Sequence, residues 1–561
     1  MDARTEYLRW LNAGIDDEEM KAELKTIGGN DKEIEDRFYQ NLAFGTGGLR
    51  GILGAGTNRM NRYTVRRAAL GLARRMLIEH ADAKEKGIVI AHDSRIGSIE
   101  FALDSALVIA AAGVKAYLFE SLRPTPELSF AIRHLGTVSG IVITASHNPA
   151  EYNGFKAYGA DGGQITPETA DAVLAEMNAI DPLTVPVADR AEAEAKGLIV
   201  TVGEDVDKPY IDHVLSLRPD PELLSRTGVD LNIVYTPLHG AGNKPVRRAL
   251  EAAGFKNVHV VPEQEMPDGR FPTVKSPNPE NAEAFTIAIR QADAIGAELI
   301  VGTDPDSDRM GLMVPTAEGW KPLTGNQVGC LFLEYICERR KAPTPDDYAV
   351  TTIVSTRMVD AVAEAYGAKV YRVLTGFKYI GETIDRQEKA GNPHFLLGFE
   401  ESYGYLTGGY IRDKDAVIAS VLACEMAAYY KTQGRTLMDQ LKLMYEKYGC
   451  YQERLLTVTL PGLDGVRRRG EIMKSLRVSP LIEVGGRNIT DCVDYTPGID
   501  DLPPADVMLY TLEGGAWMCV RPSGTEPKLK VYLGVKEADP AAAAAEADRL
   551  IKCAGDMITY A

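Results

Sequence analysis

At 561 residues the chain is too long for a single hydrophobic core, and at roughly 100 to 200 residues per domain it predicts three or four domains. A hydrophobic share of 45% and a charged share of 25% belong to an ordinary folded protein and argue against disorder, collagen or a disulfide scaffold. The net charge of −17 argues against a nucleic-acid partner, since phosphate backbones select basic surfaces, yet a few converging cations would still hold a phosphorylated metabolite.

In chain order, a polar helix-like opening gives way to short apolar runs with helical patterns between them, the sequence form of α/β domains around buried strands. Gly87 to Ala91 leads into His92-Asp93-Ser94-Arg95, and Gly140 to Ile143 leads into Thr144-Ala145-Ser146-His147-Asn148-Pro149. Ligand sites in open α/β sheets lie at the carboxyl ends of strands, so chemistry is expected in these loops. A Pro- and acid-rich stretch, Asp181 to Lys196, reads as the first domain boundary, and the pattern restarts with a strand at Asn232 to Tyr235. A second block ends in Leu299-Ile300-Val301 and an Asp-rich loop. A third carries strands near Val350 to Val354, Val370 to Val373 and Phe395 to Leu397. Here Ala416 to Ala423 is apolar but meets Glu425 too soon to span a bilayer. Arg467-Arg468-Arg469, the densest basic cluster, reads as a solvated turn or helix start. The last hundred residues predict a small α+β domain, with a hairpin of Val507 to Leu512 and Trp517 to Val520 and an Ala-rich helix after Pro540. Seven scattered cysteines without a C-x-x-C pair predict mostly buried thiols. Without a basic-then-apolar leader at Met1 to Glu6, the cytoplasm is the expected address and no membrane partner is expected.

Four loops carry chemistry. Ser146 sits where a strand enters a tight polar loop, a setting that surrounds a hydroxyl with backbone N–H groups and suits phosphate. Its neighbour His147 is poorly placed to act as its base, because adjacent residues of extended chain face opposite ways, and the G-x-S-x-G elbow of a serine hydrolase is missing. Asp304-Pro305-Asp306-Ser307-Asp308-Arg309 alternates three carboxylates that can turn toward one hard cation, Mg²⁺ being the economical choice. A calcium EF-hand needs Gly and Glu where Arg309 and Pro315 stand. Gly398 to Gly404 joins Glu400 to Ser402, the kinds of group that read sugar hydroxyls. Arg521-Pro522-Ser523-Gly524-Thr525-Glu526-Pro527 is a cradle for a phosphate dianion, or a polar turn.

Together and in this order the loops closely resemble those of the α-D-phosphohexomutase superfamily of phosphoglucomutases and phosphomannomutases, from about Phe44 to about Tyr532. Gly45-Thr46-Gly47, Tyr152 to Lys156, Thr375-Gly376-Phe377-Lys378 and Arg412-Asp413-Lys414-Asp415 add to the likeness. The resemblance implies three related α/β mixed-sheet domains and a C-terminal α+β lid domain around a central cleft, here 1–205, 206–318, 319–445 and 446–561. It implies a Mg²⁺ site of Ser146, Asp304, Asp306 and Asp308, and a phosphoserine at Ser146. Arg50, Lys156, Lys414 and His147 stand near the transferring group. Thr375, Gly376, Glu400, Ser402, Arg309, Arg521, Ser523, Gly524 and Thr525 hold a sugar phosphate. Lys414 would serve as general acid/base if Arg412 and burial lowered its pKa.

The implied reaction moves phosphate between C1 and C6 of a hexose through a bisphosphate, with glucose 1,6-bisphosphate as activator, by a monomer or weak homodimer. Glu-Glu-Ser-Tyr-Gly looks more like the glucose-type loop than the dual glucose/mannose type, which favours α-phosphoglucomutase. Phosphomannomutase and phosphopentomutase are the narrower alternatives. A non-catalytic sugar-phosphate-binding protein and a phosphatase using Ser146 are the alternatives from other classes.

Overall fold

The computed structural model describes residues 2–560 apart from 46, 341, 461, 480 and 524–527. Three short helices, Ala3–Asn12, Glu18–Ile27 and Asp31–Phe38, open the chain and bury Trp10, Leu24 and Phe38 in a small core shared with Ala55 and Tyr63. Among the described residues the strands then form four sheets in sequence order.

The first sheet runs in the order Phe44–Gly45, Gly48–Ile52, Tyr152–Gly159, Ser139–Ile143, Ile88–His92, Ala116–Phe119 and Ile199–Val202. Its last four strands are parallel, and the first three join antiparallel. Ile88–His92 and Ser139–Ile143 are buried along their whole lengths, which is why they read as continuous apolar runs rather than alternating ones. The stretch 181–196 does not bound this domain, contrary to its composition. Beyond it Ile199–Val202 returns to pair in parallel with Ala116–Phe119. Proline and acid here mark a surface crossover between two strands of one sheet.

The second sheet centres on Leu299–Thr303, parallel to Ile233–Thr236 and antiparallel to Met310–Thr316. The third sets Tyr348–Thr352 between Lys369–Val373 and Phe395–Phe399, all parallel. In the fourth, the antiparallel strands include the expected hairpin of Met508–Leu512 and Trp517–Pro522, and the helix Pro540–Tyr560 packs on Cys450–Thr459 and Lys528–Glu537. The fold is thus three mixed α/β units followed by an α+β unit, as the resemblance implied. All seven cysteines are free thiols, four of them buried. No helix among the described residues is long and apolar enough to cross a membrane.

Candidate active site

Three parallel strands end in the three loops that carry carboxylates and hydroxyls: Ile143 leads to Ser146, Thr303 to Asp304, and Phe399 to Glu400. Each loop turns on a non-glycine residue in the left-handed region, Ser146 (φ 51°), Ser307 (φ 52°) and Tyr403 (φ 68°). Such conformations cost about 1–3 kcal/mol and persist only where surrounding contacts fix them.

The turn at Ser146 overturns the extended-chain argument about its neighbour. Because the backbone is left-handed there, His147 does not face away, and its Nδ1 lies 3.1 Å from Ser146 Oγ. Burial, with Arg309 and Arg50 nearby, pushes the imidazole well below its ordinary pKa, so it is neutral at neutral pH. Ser146 Oγ also donates to Asp304 Oδ2 at 2.7 Å, which ties the first domain's hydroxyl to the second domain's loop.

Asp304, Asp306 and Asp308 are buried, and each offers a carboxylate oxygen within 4.8 Å of the others. Asp304 Oδ1 accepts from the backbone N–H of Asp308 and Arg309. Lys156 Nζ donates to Asp306 Oδ2 at 2.8 Å, and Lys414 Nζ stands 2.9 Å from Asp308 Oδ2. Burial and crowding by Asp306 and Asp308 drive Asp304 well above the carboxylate range. At Asp308 burial acts the same way, but Lys414 and Lys156 outweigh it and hold that group low. Asp306 Oδ1 and Asp308 Oδ1 are out of solvent and accept no hydrogen bond. Unsatisfied buried carboxylate oxygens beside a crowded third suit a hard divalent cation, and the oxygen-only donor set matches Mg²⁺.

This loop is pinned from both sides. Thr125, first residue of the helix Thr125–Leu135, donates its N–H to Asp306 O at 2.9 Å and its hydroxyl to Asp306 Oδ2 at 2.8 Å. From the third domain, Tyr403 O accepts from Met310 N, and Ala416 N donates to Ser307 O. Arg309 pairs with Glu280 and donates to Ser402 O at 3.1 Å, so it links the loop 304–309 to the loop 400–404.

Glu400 accepts the Gly376 N–H at 2.8 Å, and burial raises its pKa despite Lys414 nearby. A Cβ at Gly404 would lie 2.4 Å from Lys414 Cδ, so a larger residue there has to displace the Lys414 side chain. The expected lowering of the Lys414 pKa is not met. Burial favours the neutral amine, but Asp308 and Asp413 outweigh it and raise the pKa above its ordinary value. Arg412 turns elsewhere, to Glu388 and the carbonyls of Gly409 and Ile411. Asp413 is itself held by the buried Tyr158 hydroxyl at 2.7 Å.

These groups meet in a cleft of about 620 Å³ lined from all four sheets, with Arg50, Ser146, Asp308, Glu400, Lys414 and Arg521 on its walls. Lys156, Arg309, Thr375, Gly376 and Ser402 also line it. Thr375 Oγ1 and Arg521 Nε are out of solvent without a hydrogen-bond partner. Ser523 accepts through its carbonyl from Arg469 at 3.1 Å, so the basic cluster on the helix Gly462–Val478 is not wholly solvated. Gly524, Thr525, Glu526 and Pro527, like Thr46, lie outside the described residues.

Sequence reasoning passed over Arg95 and Thr125. Arg95 donates to the carbonyls of Ser146 (2.5 Å), Pro149 (2.8 Å), Tyr152 (2.9 Å) and Asn148. The loop holding it was marked by its place after a strand, but a contact made to backbone carbonyls leaves no pattern in side-chain identity.

A buried hydroxyl, three carboxylates and two lysines in one cleft are the equipment of a phosphotransferase. Four family models match in order. They are the phosphoglucomutase/phosphomannomutase alpha/beta/alpha domains I (41–184), II (208–319) and III (324–448) and the C-terminal domain (490–552). A phosphoglucomutase of Staphylococcus haemolyticus is 37% identical over 89% of this chain and 91% of its own. One of Staphylococcus aureus is 35% identical over 90% and 92%. A putative phosphomannomutase of Thermus thermophilus has the same fold, with TM-score 0.70, 23% identity and coverage of 93% of this chain and 99% of its own. The chain belongs to the phosphoglucomutase/phosphomannomutase family, and it is a phosphotransferase mutase.

Proposed function

We propose that this enzyme is an α-phosphoglucomutase that interconverts glucose 1-phosphate and glucose 6-phosphate through phosphorylated Ser146 and glucose 1,6-bisphosphate. The observation that carries the reading is the Ser146 Oγ to Asp304 contact at 2.7 Å, which sets the hydroxyl against a carboxylate cluster bounded by Lys156 and Lys414. The glucose-type sugar loop and the likeness to the staphylococcal phosphoglucomutases support glucose over mannose or pentose.

In the first half-reaction a free sugar hydroxyl attacks phosphorus, the bond from phosphorus to Ser146 Oγ breaks, and the hydroxyl proton ends on Oγ. In the second, Ser146 Oγ attacks the other phosphorus of the bisphosphate, the bond from that phosphorus to the sugar oxygen breaks, and the proton returns to the sugar oxygen. Neutral His147, with Nδ1 3.1 Å from Oγ, can pass that proton. The raised pKa of Lys414 fits it to a different task, holding positive charge beside the transferring group rather than exchanging protons. Lys156 and Arg50 add charge on the same side. Glu400 and Ser402 read the hydroxyls, and Arg521 with the loop 523–525 holds the phosphate that is not reacting. The bisphosphate then turns over in the cleft and returns its other phosphate to Ser146. Asp304, Asp306, Asp308 and the Ser146 oxygen would hold Mg²⁺, which supplies neutralisation of phosphoryl charge.

The test is a panel of glucose, mannose, glucosamine and ribose 1-phosphates with the bisphosphate activator and Mg²⁺. Glucose 1-phosphate is expected to give the highest kcat/KM, and another sugar ranking first would reassign the substrate. Ser146→Ala is expected to abolish mutase turnover while keeping the fold. Full turnover in that variant would remove the phosphoserine from the mechanism. Steady release of inorganic phosphate would point to a phosphatase, and tight binding without turnover to a non-catalytic binder.

A further inference from the structure

The first forty residues precede the matched family domains, which begin at residue 41. Their three helices are not a loose appendage. They close on the loop between Gly48–Ile52, the strand that carries Arg50, and the helix Arg62–Glu79. Glu23 Oε2 accepts the Ala55 N–H at 2.8 Å, and Arg37 donates to Ala55 O at 3.2 Å while pairing with Glu23 at 2.5 Å. Arg37 O accepts the Asn58 N–H at 2.9 Å, and Asp36 O accepts from the Asn58 side chain at 3.0 Å. Thr57 exchanges two bonds with 40–42, its carbonyl accepting from Leu42 N at 2.7 Å and its hydroxyl donating to Gln40 O at 2.7 Å. Asp36 pairs with Arg59, and Asp16 accepts from Tyr63 OH at 2.8 Å. The approach is close enough to dictate residue type. Gly56 has φ 133°, and a Cβ there would lie 2.6 Å from Arg37 O.

The strand thus braced is paired along all five residues with Tyr152–Lys156 on one side but only briefly on the other. It lies one place from the sheet edge, with only the two-residue strand Phe44–Gly45 outside it. Its far end joins the braced loop through Met60 N to Ile52 O at 2.9 Å, while Leu53 N reaches Glu151 O at 2.8 Å, just ahead of the neighbouring strand. Leu42 covers Gly51, the residue next to Arg50. Arg50 is solvent-exposed on the cleft wall, where its guanidinium reaches Asn148 Oδ1 at 3.4 Å in the Ser146 loop, and the place from which it reaches is set by where its strand is held.

We propose that the N-terminal helices are a positioning brace that fixes the strand presenting Arg50 to the reacting phosphate, with Arg37 and Glu23 as its central pair. The proposal rests on the reading of Arg50 as a group near the transferring phosphoryl. Positioning losses of this kind fall on kcat more than on KM when the displaced group acts mainly in the transition state.

The test is a double-mutant cycle on full-length enzyme, in glucose 1-phosphate turnover, with wild type, Arg37→Ala, Arg50→Ala and the double variant. Arg37→Ala is expected to lower kcat by roughly 10- to 100-fold with KM changed less than about twofold. In the Arg50→Ala background the same change is expected to cost less than about twofold, because the group it positions is gone. Asn58→Ala, which removes one solvent-facing bond to Asp36 O, is the milder variant should Arg37→Ala fold poorly, and its smaller loss is likewise expected to vanish beside Arg50→Ala. Arg4→Ala, which breaks a 3.1 Å pair with Asp31 inside the helices, is expected to leave kcat unchanged. Losses that multiply in the double variant would overturn the brace while leaving the role of Arg50 intact. Wild-type kcat in Arg50→Ala would overturn the role of Arg50, and the brace with it.

Discussion

Arg95→Lys isolates what the guanidinium does for the Ser146 loop, because it keeps the positive charge beside the buried Asp93, 3.5 Å away. In the native protein two nitrogens reach four carbonyls between residues 146 and 152, and the guanidinium lies 5.0 Å from the Phe271 ring centroid, on a loop of the second domain. A lysine ammonium is a point donor on a single stem and cannot span that arc. Losing two of the four bonds, at about 1.5 kcal/mol each for a charged donor, predicts a local destabilisation of about 3 kcal/mol. Opening of the loop should then be roughly 100-fold more frequent. Hydrogen exchange of peptides spanning 144–152 reads this directly, since those amides report local opening rather than global unfolding. Protection in that segment should fall by about that factor while the helix Arg62–Glu79 keeps its own. Exchange in 144–152 within about threefold of wild type would refute the idea that Arg95 shapes the loop.

Chelation of divalent cations should lower turnover by at least about 100-fold, and Mg²⁺ should restore it. Asp308→Asn, which also removes a partner of Lys414, should not recover on adding Mg²⁺, and full activity in chelator would dismiss the metal reading. Glu401 offers a pH test. Burial and the adjacent Glu400 push its pKa from the ordinary carboxylate range up to about 7. The folded state therefore holds its proton more tightly than the unfolded state, so its contribution to stability is full below about pH 4.5 and is lost as pH rises through about 7. Glu401→Gln should abolish that decline, measured as the difference in denaturant stability from wild type between those pH values, and identical slopes would rule Glu401 out.

The buried parallel strands were legible because they are continuous apolar runs. Ser146, Asp304 and Glu400 were legible because each follows such a run, where α/β sheets place their chemistry. Backbone conformation was not legible. The left-handed turn at Ser146 brings His147 back to its hydroxyl, and nothing in Thr144-Ala145-Ser146-His147 announces a positive φ at a serine. The boundary read at 181–196 failed because composition reports surface exposure, and a crossover within one domain is as exposed as a linker between two. The expectation for Lys414 failed for a related reason. Arg412 is its near neighbour in sequence, while Asp308, the larger of the two carboxylate influences that raise its pKa, is supplied by another domain.

The loop 304–309 is held by a threonine of the first domain and by Tyr403 and Ala416 of the third. No excised domain would carry a working copy of it, and a substitution that shifts its backbone must be answered in two other parts of the chain at once. Variation in such a protein is channelled. A change at this loop is constrained by two neighbouring domains together, whereas the cleft walls outside those ties have more room to vary.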